Sequence, residues 1–520
     1  MSVDSDESGN PHSSSPRHRS LQPNHVTRII PVALIVMFVA YSALTLAMVP
    51  LHEPWRDESQ AWLISRDASL ADLFGNILRE EGHPALWFLL LMPFAKMGAP
   101  YVTMQIISAA LMIAALAVLY VSDIPMAVKL IAPITCLFVY EIPTIARSYS
   151  VLALLCALIV KDYPHRDKHP YRYALWLALL FQTHVWAFGF AGGMLIVWLY
   201  DMARNHTLHA RKNHTALLLP VLSALLSAIE LFPDGSNAPQ ITPLANWYLS
   251  REGLICTVLF VIASSFSAAF VSLCTVAWVT VVINLVYFGV NAQKNCALLW
   301  MLAAAALTLM LHDARDRVAS HNRVQRVITI GVAVALALTL VPKTRVAWQK
   351  ALQDSRTTTS IGAQFAHTLH DDIESTGSDV IVPVRDATSV YAVSNSLPYL
   401  NADVRMWNPF TKTYLSYADQ QYRSLIDTVD KPSLRTSDLP KNTDTNTMLF
   451  VDCTGTNGTG QPDILSHDPR YHRISRTSSQ SAYNIETLSN SLESLAYSFL
   501  IRFCSSRCDS NSSLSNFKST

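Results

Sequence analysis

Long apolar runs fill residues 28–342 of this 520-residue chain, and they limit what it can fold into. A bilayer-crossing helix needs about 20 mostly apolar residues, and inside the hydrocarbon every backbone polar group must be satisfied within the protein. Hydrophobic residues make up 51% of the chain and charged residues only 15%, which excludes an ordinary soluble enzyme as a whole-chain description. The net charge of +1 leaves no electrostatic footprint for nucleic acid.

The runs that read as spans are 28–50, 103–121, 126–142, 147–160, 214–232, 253–270, 272–290, 296–311 and 326–342. The stretch 173–200 is too long for one and divides near "THVWAF" into two short spans. The run 85–97 is short and carries Pro93 and Lys96, so it reads as a juxtamembrane helix that does not cross. About eleven spans result. The basic segments 17–28, 161–172, 203–213 and 312–326 then all fall on one side, the cytoplasmic one by the positive-inside rule. The expected organisation is a disordered cytoplasmic N-terminus (1–27), a helical membrane domain (28–342) with an outer loop at 51–84, an extracytoplasmic α/β domain (343–488) and a Ser-rich tail (489–520). The α/β domain is read from "DVIVPV" (379–384) and "TMLFVD" (447–452) as strands and from 360–373 as an amphipathic helix. The aromatics Tyr391, Tyr399, Trp407, Phe410, Tyr414, Tyr417 and Tyr422 cluster there, with core packing as their expected use and sugar stacking as the alternative.

Five of the eight cysteines lie in apolar runs, and no pair has zinc-site spacing. A Cys504–Cys508 disulfide is open, and "NGT" (457–459) meets the glycosylation pattern.

The first outer loop begins with "EPWRDESQAW" (53–62), where Asp57 and Glu58 follow Arg56 between Trp55 and Trp62. Asp57 could do no more than cap a helix starting at Glu58. Ser69, with Asp72 three residues on, reads as the start of a second helix. Its apolar face would carry Leu70, Leu73, Phe74, Ile77 and Leu78 and lie on the membrane surface. "GHPALW" (82–87) then turns the chain down. Glu141 and Arg147 flank a turn, His184 sits between two short spans, and Glu230 ends another. Charge at membrane depth is expensive, so these residues are expected to face one another or a wet chamber at the outer surface.

Taken in order, the acidic pair after the first span, the amphipathic loop helix, "GHPALW" and "ARSY" (146–149) resemble the polytopic GT-C fold glycosyltransferases. The nearest branch is the RgtA/B/C/D-like group, related to protein O-mannosyltransferases and the lipid A aminoarabinose transferase. The likeness covers about residues 28–235. It departs at Ala85, where the family carries a second proline. The resemblance implies transfer of a sugar from a polyprenyl phosphate to a lipid, polysaccharide or protein acceptor at the outer face of the cell membrane. Asp57 falls at the family's catalytic position. That chemistry asks for a base, here Asp57 supported by Glu58, with Arg56 and Glu141 as neighbours. It also asks for positive charge at the departing phosphate, with Arg147 and His83 as candidates and Tyr149 and His184 lining the site. A divalent cation held by Asp57 and Glu58 is a further candidate. Two other classes stay open: a transporter or flippase of lipid-linked sugars, and a non-catalytic envelope protein that binds glycan.

Overall fold

The computed structural model describes residues 25–52, 54, 56–185, 187–208, 210–231, 300–301, 303–308, 311, 340–355, 361–377, 379–383, 393–408, 412–415 and 449–451. The expected spans 253–270 and 272–290 lie outside these residues, as do most of 326–342, nearly all of the N-terminal segment, the tail, the glycosylation pattern and Cys504 and Cys508. So do Tyr391, Phe410, Tyr417 and Tyr422.

The described chain is mostly helical. Helix α1 (His25–Met48) tightens into a 3-10 turn, Val49–Leu51, where Pro50 cannot continue the α-helical ladder. Helix α2 (Arg56–Asp67) carries Asp57 and Glu58 in its first turn and Arg66 in its last, the arrangement that complements the helix dipole. The loop helix follows as α3 (Leu70–Asp72), a π-helical turn Leu73–Ile77 and α4 (Leu78–Glu81). Ser69 caps it as expected: its hydroxyl accepts from the Asp72 amide, and the Asp72 carboxylate accepts from the Ser69 amide. Gly82 ends it in the left-handed conformation, at φ 67°.

Among the described residues three helices are long and apolar enough to cross a membrane: Pro31–Leu51, Val102–Tyr120 (α6) and Arg211–Glu230 (α12). Helix α5 (Leu86–Lys96) rises only about 16 Å, roughly half the hydrocarbon thickness. Its Trp87, Phe88, Leu91, Met92 and Ala95 are buried, and it packs against α2. Lys96 donates to the Ala68 carbonyl at 2.7 Å, closing the end of α2. The stretch 173–200 divides where expected, into α10 (Pro170–Phe181) and α11 (Ala187–Arg204).

Two details differ from the sequence reading. The run 126–142 is not one helix. It forms α7 (Met126–Ile131), a 3-10 turn at Ala132–Ile134 around Pro133, irregular buried backbone, and α8 (Glu141–Thr144). Its freed backbone groups are met from distant helical segments. Thr344 Oγ1 accepts from the Cys136 amide at 3.0 Å, Trp348 Nε1 donates to the Ile134 carbonyl at 3.0 Å, and Trp300 Nε1 donates to the Leu137 carbonyl at 2.8 Å. Buried irregular backbone is tolerated where the protein itself satisfies its polar groups. The apolar face of the loop helix is also split. Leu73, Ile77 and Leu78 are buried, whereas Leu70 and Phe74 are exposed. The π-turn adds a residue to the helical repeat, so a stripe spaced for 3.6 residues per turn cannot stay on one side.

Helix α9 (Tyr149–Asp162) packs on α6, and α6 on α1. Helix α10 packs on α9, α11 and α12. Residues 340–354 are helical, and helix α13 (Ile361–Thr376) follows. Strands β1 (Val380–Pro383), β2 (Arg405–Asn408), β3 (Thr413–Leu415) and β4 (Leu449–Val451) pair in the order β3-β2-β1-β4. Strand β1 is parallel to both β2 and β4, while β3 is antiparallel to β2. The apolar core of this sheet includes Leu63 of α2 beside Leu369, Ile381, Val393, Leu397 and Met406. Arg66 donates to the Leu397 and Leu400 carbonyls at 3.2 and 3.4 Å, so the sheet unit is docked on the helix that carries Asp57. Trp407 is buried and packs edge-on against Tyr414 at 4.8 Å, whereas Tyr399 is exposed and its ring meets Tyr101.

Candidate functional site

The first turn of α2, the turn after Gly82, the start of α9 and the break between α10 and α11 meet at Arg147. Its Nη1 donates to Asp57 Oδ2 at 2.8 Å, and its Nη2 lies 3.1 Å from His83 Nε2. The His83 and His184 rings stand 4.5 Å apart, and the Tyr149 ring lies 5.4 Å from His184. The Arg147 guanidinium carbon sits 5.4 Å from the Tyr149 ring centre. Asp57, His83, Arg147, Tyr149 and His184, singled out on separate grounds in the sequence, therefore form one cluster.

The electrostatics follow from the packing. Burial, and then the neighbouring Arg147 charge, hold the His83 pKa below the ordinary histidine value. Burial, with His83 and Arg147 beside it, holds His184 well below it. A neutral His83 can accept the Arg147 N–H at Nε2, so tautomer and hydrogen bond agree. The Asp57 and Arg147 side chains keep 36% and 21% of their surface open, whereas His184 is buried.

Glu58 points elsewhere. It is fully buried, its Oε1 accepts the Ala146 amide at 2.8 Å, and its Oε2 meets His52 Nε2 at 2.9 Å. His52 Nδ1 lies 3.5 Å from Asp354 Oδ2, which also accepts the Tyr140 hydroxyl at 2.8 Å. Burial opposes charge on His52, but the Glu58 and Asp354 carboxylates outweigh it and push its pKa up to about 10. Glu141 pairs with Lys350 at 3.1 Å and not with Arg147. Arg56 opens α2.

The two adjacent carboxylates thus do not converge on one point. Successive residues of a helix point about 100° apart, and here they serve different partners. Among the described residues no group of three or more His, Cys, Asp and Glu is arranged to hold a metal ion. With Asp57 on Arg147 and Glu58 on His52 and Ala146, the geometry does not fit a cation shared by the two carboxylates.

Sequence reasoning missed His52, Tyr140, Lys350 and Asp354. His52 carried a usable signal, a histidine at the exit of a span six residues before an acidic pair. Asp354 carried none, because 302 residues separate it from His52. No protein-family model matches this chain, and no curated protein sequence matches it.

Proposed function

We propose that this chain is a polytopic membrane glycosyltransferase of GT-C type, with about eleven spans. It transfers a sugar from a polyprenyl-phosphate donor to an acceptor at the outer face. The observation that carries the reading is the meeting of Asp57, Arg147, His83, His184 and Tyr149 at a part-open site beside the first apolar helix. A carboxylate and a guanidinium are what transfer from a lipid phosphate asks for: a base for the acceptor hydroxyl and fixed positive charge for the departing phosphate.

In the resting site Arg147 holds Asp57 in an ion pair. A donor phosphate competes for the guanidinium, which binds phosphate in bidentate fashion. As Arg147 turns to the phosphate, Asp57 is released to take the proton of the acceptor hydroxyl while that oxygen attacks the sugar carbon. The bond to phosphate breaks, and the phosphate leaves on Arg147. His83 supports the guanidinium from the other side, and Tyr149 and His184 line the pocket. The basic loops face the cytoplasm, and the sheet unit lies on the outer face over α2.

The test is the set of surface glycans of a strain lacking the protein, complemented with the wild type or with Asp57→Asn. Loss of a glycan, restored by the wild type alone, supports the reading. Restoration by the Asn variant sinks it.

A further inference from the structure

A second set of buried polar groups ends at the same site without touching the space beside Asp57. Residues 340–354 form a helical segment that precedes α13 and the sheet, and Asp354 lies at its end. Its Oδ2 gathers the Tyr140 hydroxyl at 2.8 Å and faces His52 Nδ1 at 3.5 Å. His52 Nε2 reaches Glu58 at 2.9 Å, and Glu58 reaches the Ala146 amide at 2.8 Å. The next residue is Arg147.

We propose that Asp354 is a positioning residue for the Asp57–Arg147 pair, acting through His52, Glu58 and the Ala146 amide. Three features favour a positioning role over simple packing. His52 has carboxylates at both ring nitrogens, and only the imidazolium can donate at both, so the chain is charge-assisted along its length. Ala146 lies in the short irregular stretch between α8 and α9, where its N–H has no helical partner and Glu58 supplies the acceptor. Tyr140 is held at φ 66°, a strained conformation for a bulky residue unless its surroundings hold it. Its hydroxyl is anchored on Asp354. Asp354 thus holds both ends of the stretch that aims Arg147, directly at Tyr140 and through His52 and Glu58 at Ala146. The far side of the site is gripped as well, since the sheet unit that follows docks on α2 through Leu63 and Arg66. The C-terminal third of the chain therefore sets the geometry of a pair that lies wholly in its N-terminal third.

The proposal rests on the reading of Asp57 and Arg147 as the reacting pair, but its first readout does not. Hydrogen exchange of the 142–149 region is followed by mass spectrometry in the solubilised full-length protein. Asp354→Asn should speed exchange there about tenfold, with Asp354→Glu restoring most of the protection, while α10 is unchanged. The second readout is binding of a polyprenyl monophosphate, which should weaken about tenfold in Asp354→Asn and recover in Asp354→Glu. Faster exchange in a protein that binds no polyprenyl phosphate even as wild type keeps the positioning role and removes the donor reading. Unchanged exchange in folded Asp354→Asn overturns the proposal. If that variant does not fold, His52→Gln is measured in the same way, and unchanged exchange in it overturns the proposal equally.

Discussion

Asp57 and Arg147 are separated by 90 positions in the chain, yet the carboxylate of one accepts from the guanidinium of the other at 2.8 Å. The contact turns the Asp57 side chain toward Arg147, and α2 begins one residue earlier, at Arg56. Asp57→Asn should abolish transfer, by at least a hundredfold, and lower stability by no more than about 1 kcal/mol, because a part-exposed ion pair contributes little. Thermal unfolding and the surface-glycan assay, run on the same preparation, separate the two effects. A variant that loses stability and activity in proportion would make Asp57 structural.

Arg147→Lys keeps the charge but not the fork that reaches Asp57 and His83 together. Binding of polyprenyl monophosphate should fall at least tenfold. Glu141→Gln should leave that binding intact, because Glu141 pairs with Lys350. Equal losses in the two variants would argue that Arg147 does not meet phosphate.

The histidine pair sets an acid limit. His83 and His184 are held neutral with pKa values below the ordinary one. The folded state therefore binds fewer protons than the unfolded state below about pH 6.5, and stability falls as pH drops from there toward the folded values. His184→Asn should flatten that fall in a melting series between about pH 7 and 5. An unchanged slope would place the acid sensitivity elsewhere. His52 works in the opposite sense: its stabilisation is complete below the ordinary histidine value and is lost as pH rises through about 10.

Glu230 ends α12 with both carboxylate oxygens buried, and the Ala85 backbone amide faces it without a close hydrogen bond. An unsatisfied buried polar group costs roughly 1–3 kcal/mol. Glu230→Leu should therefore raise the melting temperature. A lower one would reveal a partner for the carboxylate.

The orientation can be read chemically. A cysteine at Ser69, exposed just before α3, should react with a membrane-impermeant thiol reagent in intact cells if the proposed orientation holds. One at Lys212, exposed at the start of α12, should react only after permeabilisation. Labelling at Lys212 from outside would invert the membrane placement and put the Asp57 site on the wrong face for the proposed donor.

Local rules act over a few residues, and where they sufficed the sequence was enough. The capping box at Ser69, the stop at Gly82, the division of 173–200 and the three long apolar helices all follow from spacing and composition. So did the candidates at the site, because a charged or titratable residue near an apolar run is costly and stands out wherever it occurs. What the sequence could not settle was which candidate meets which. Glu58 sits beside Asp57 in the chain, but one residue of helix turns it toward His52 and Ala146. Arg147 chose Asp57 over the nearer Glu141, and Glu141 was left to Lys350. The break after Ile131 is stable only because Trp300, Thr344 and Trp348 return from far along the chain to meet its backbone. Such pairings are selected by packing in three dimensions, where an unmatched buried polar group costs more than any local preference can supply, so only the tertiary structure decided them.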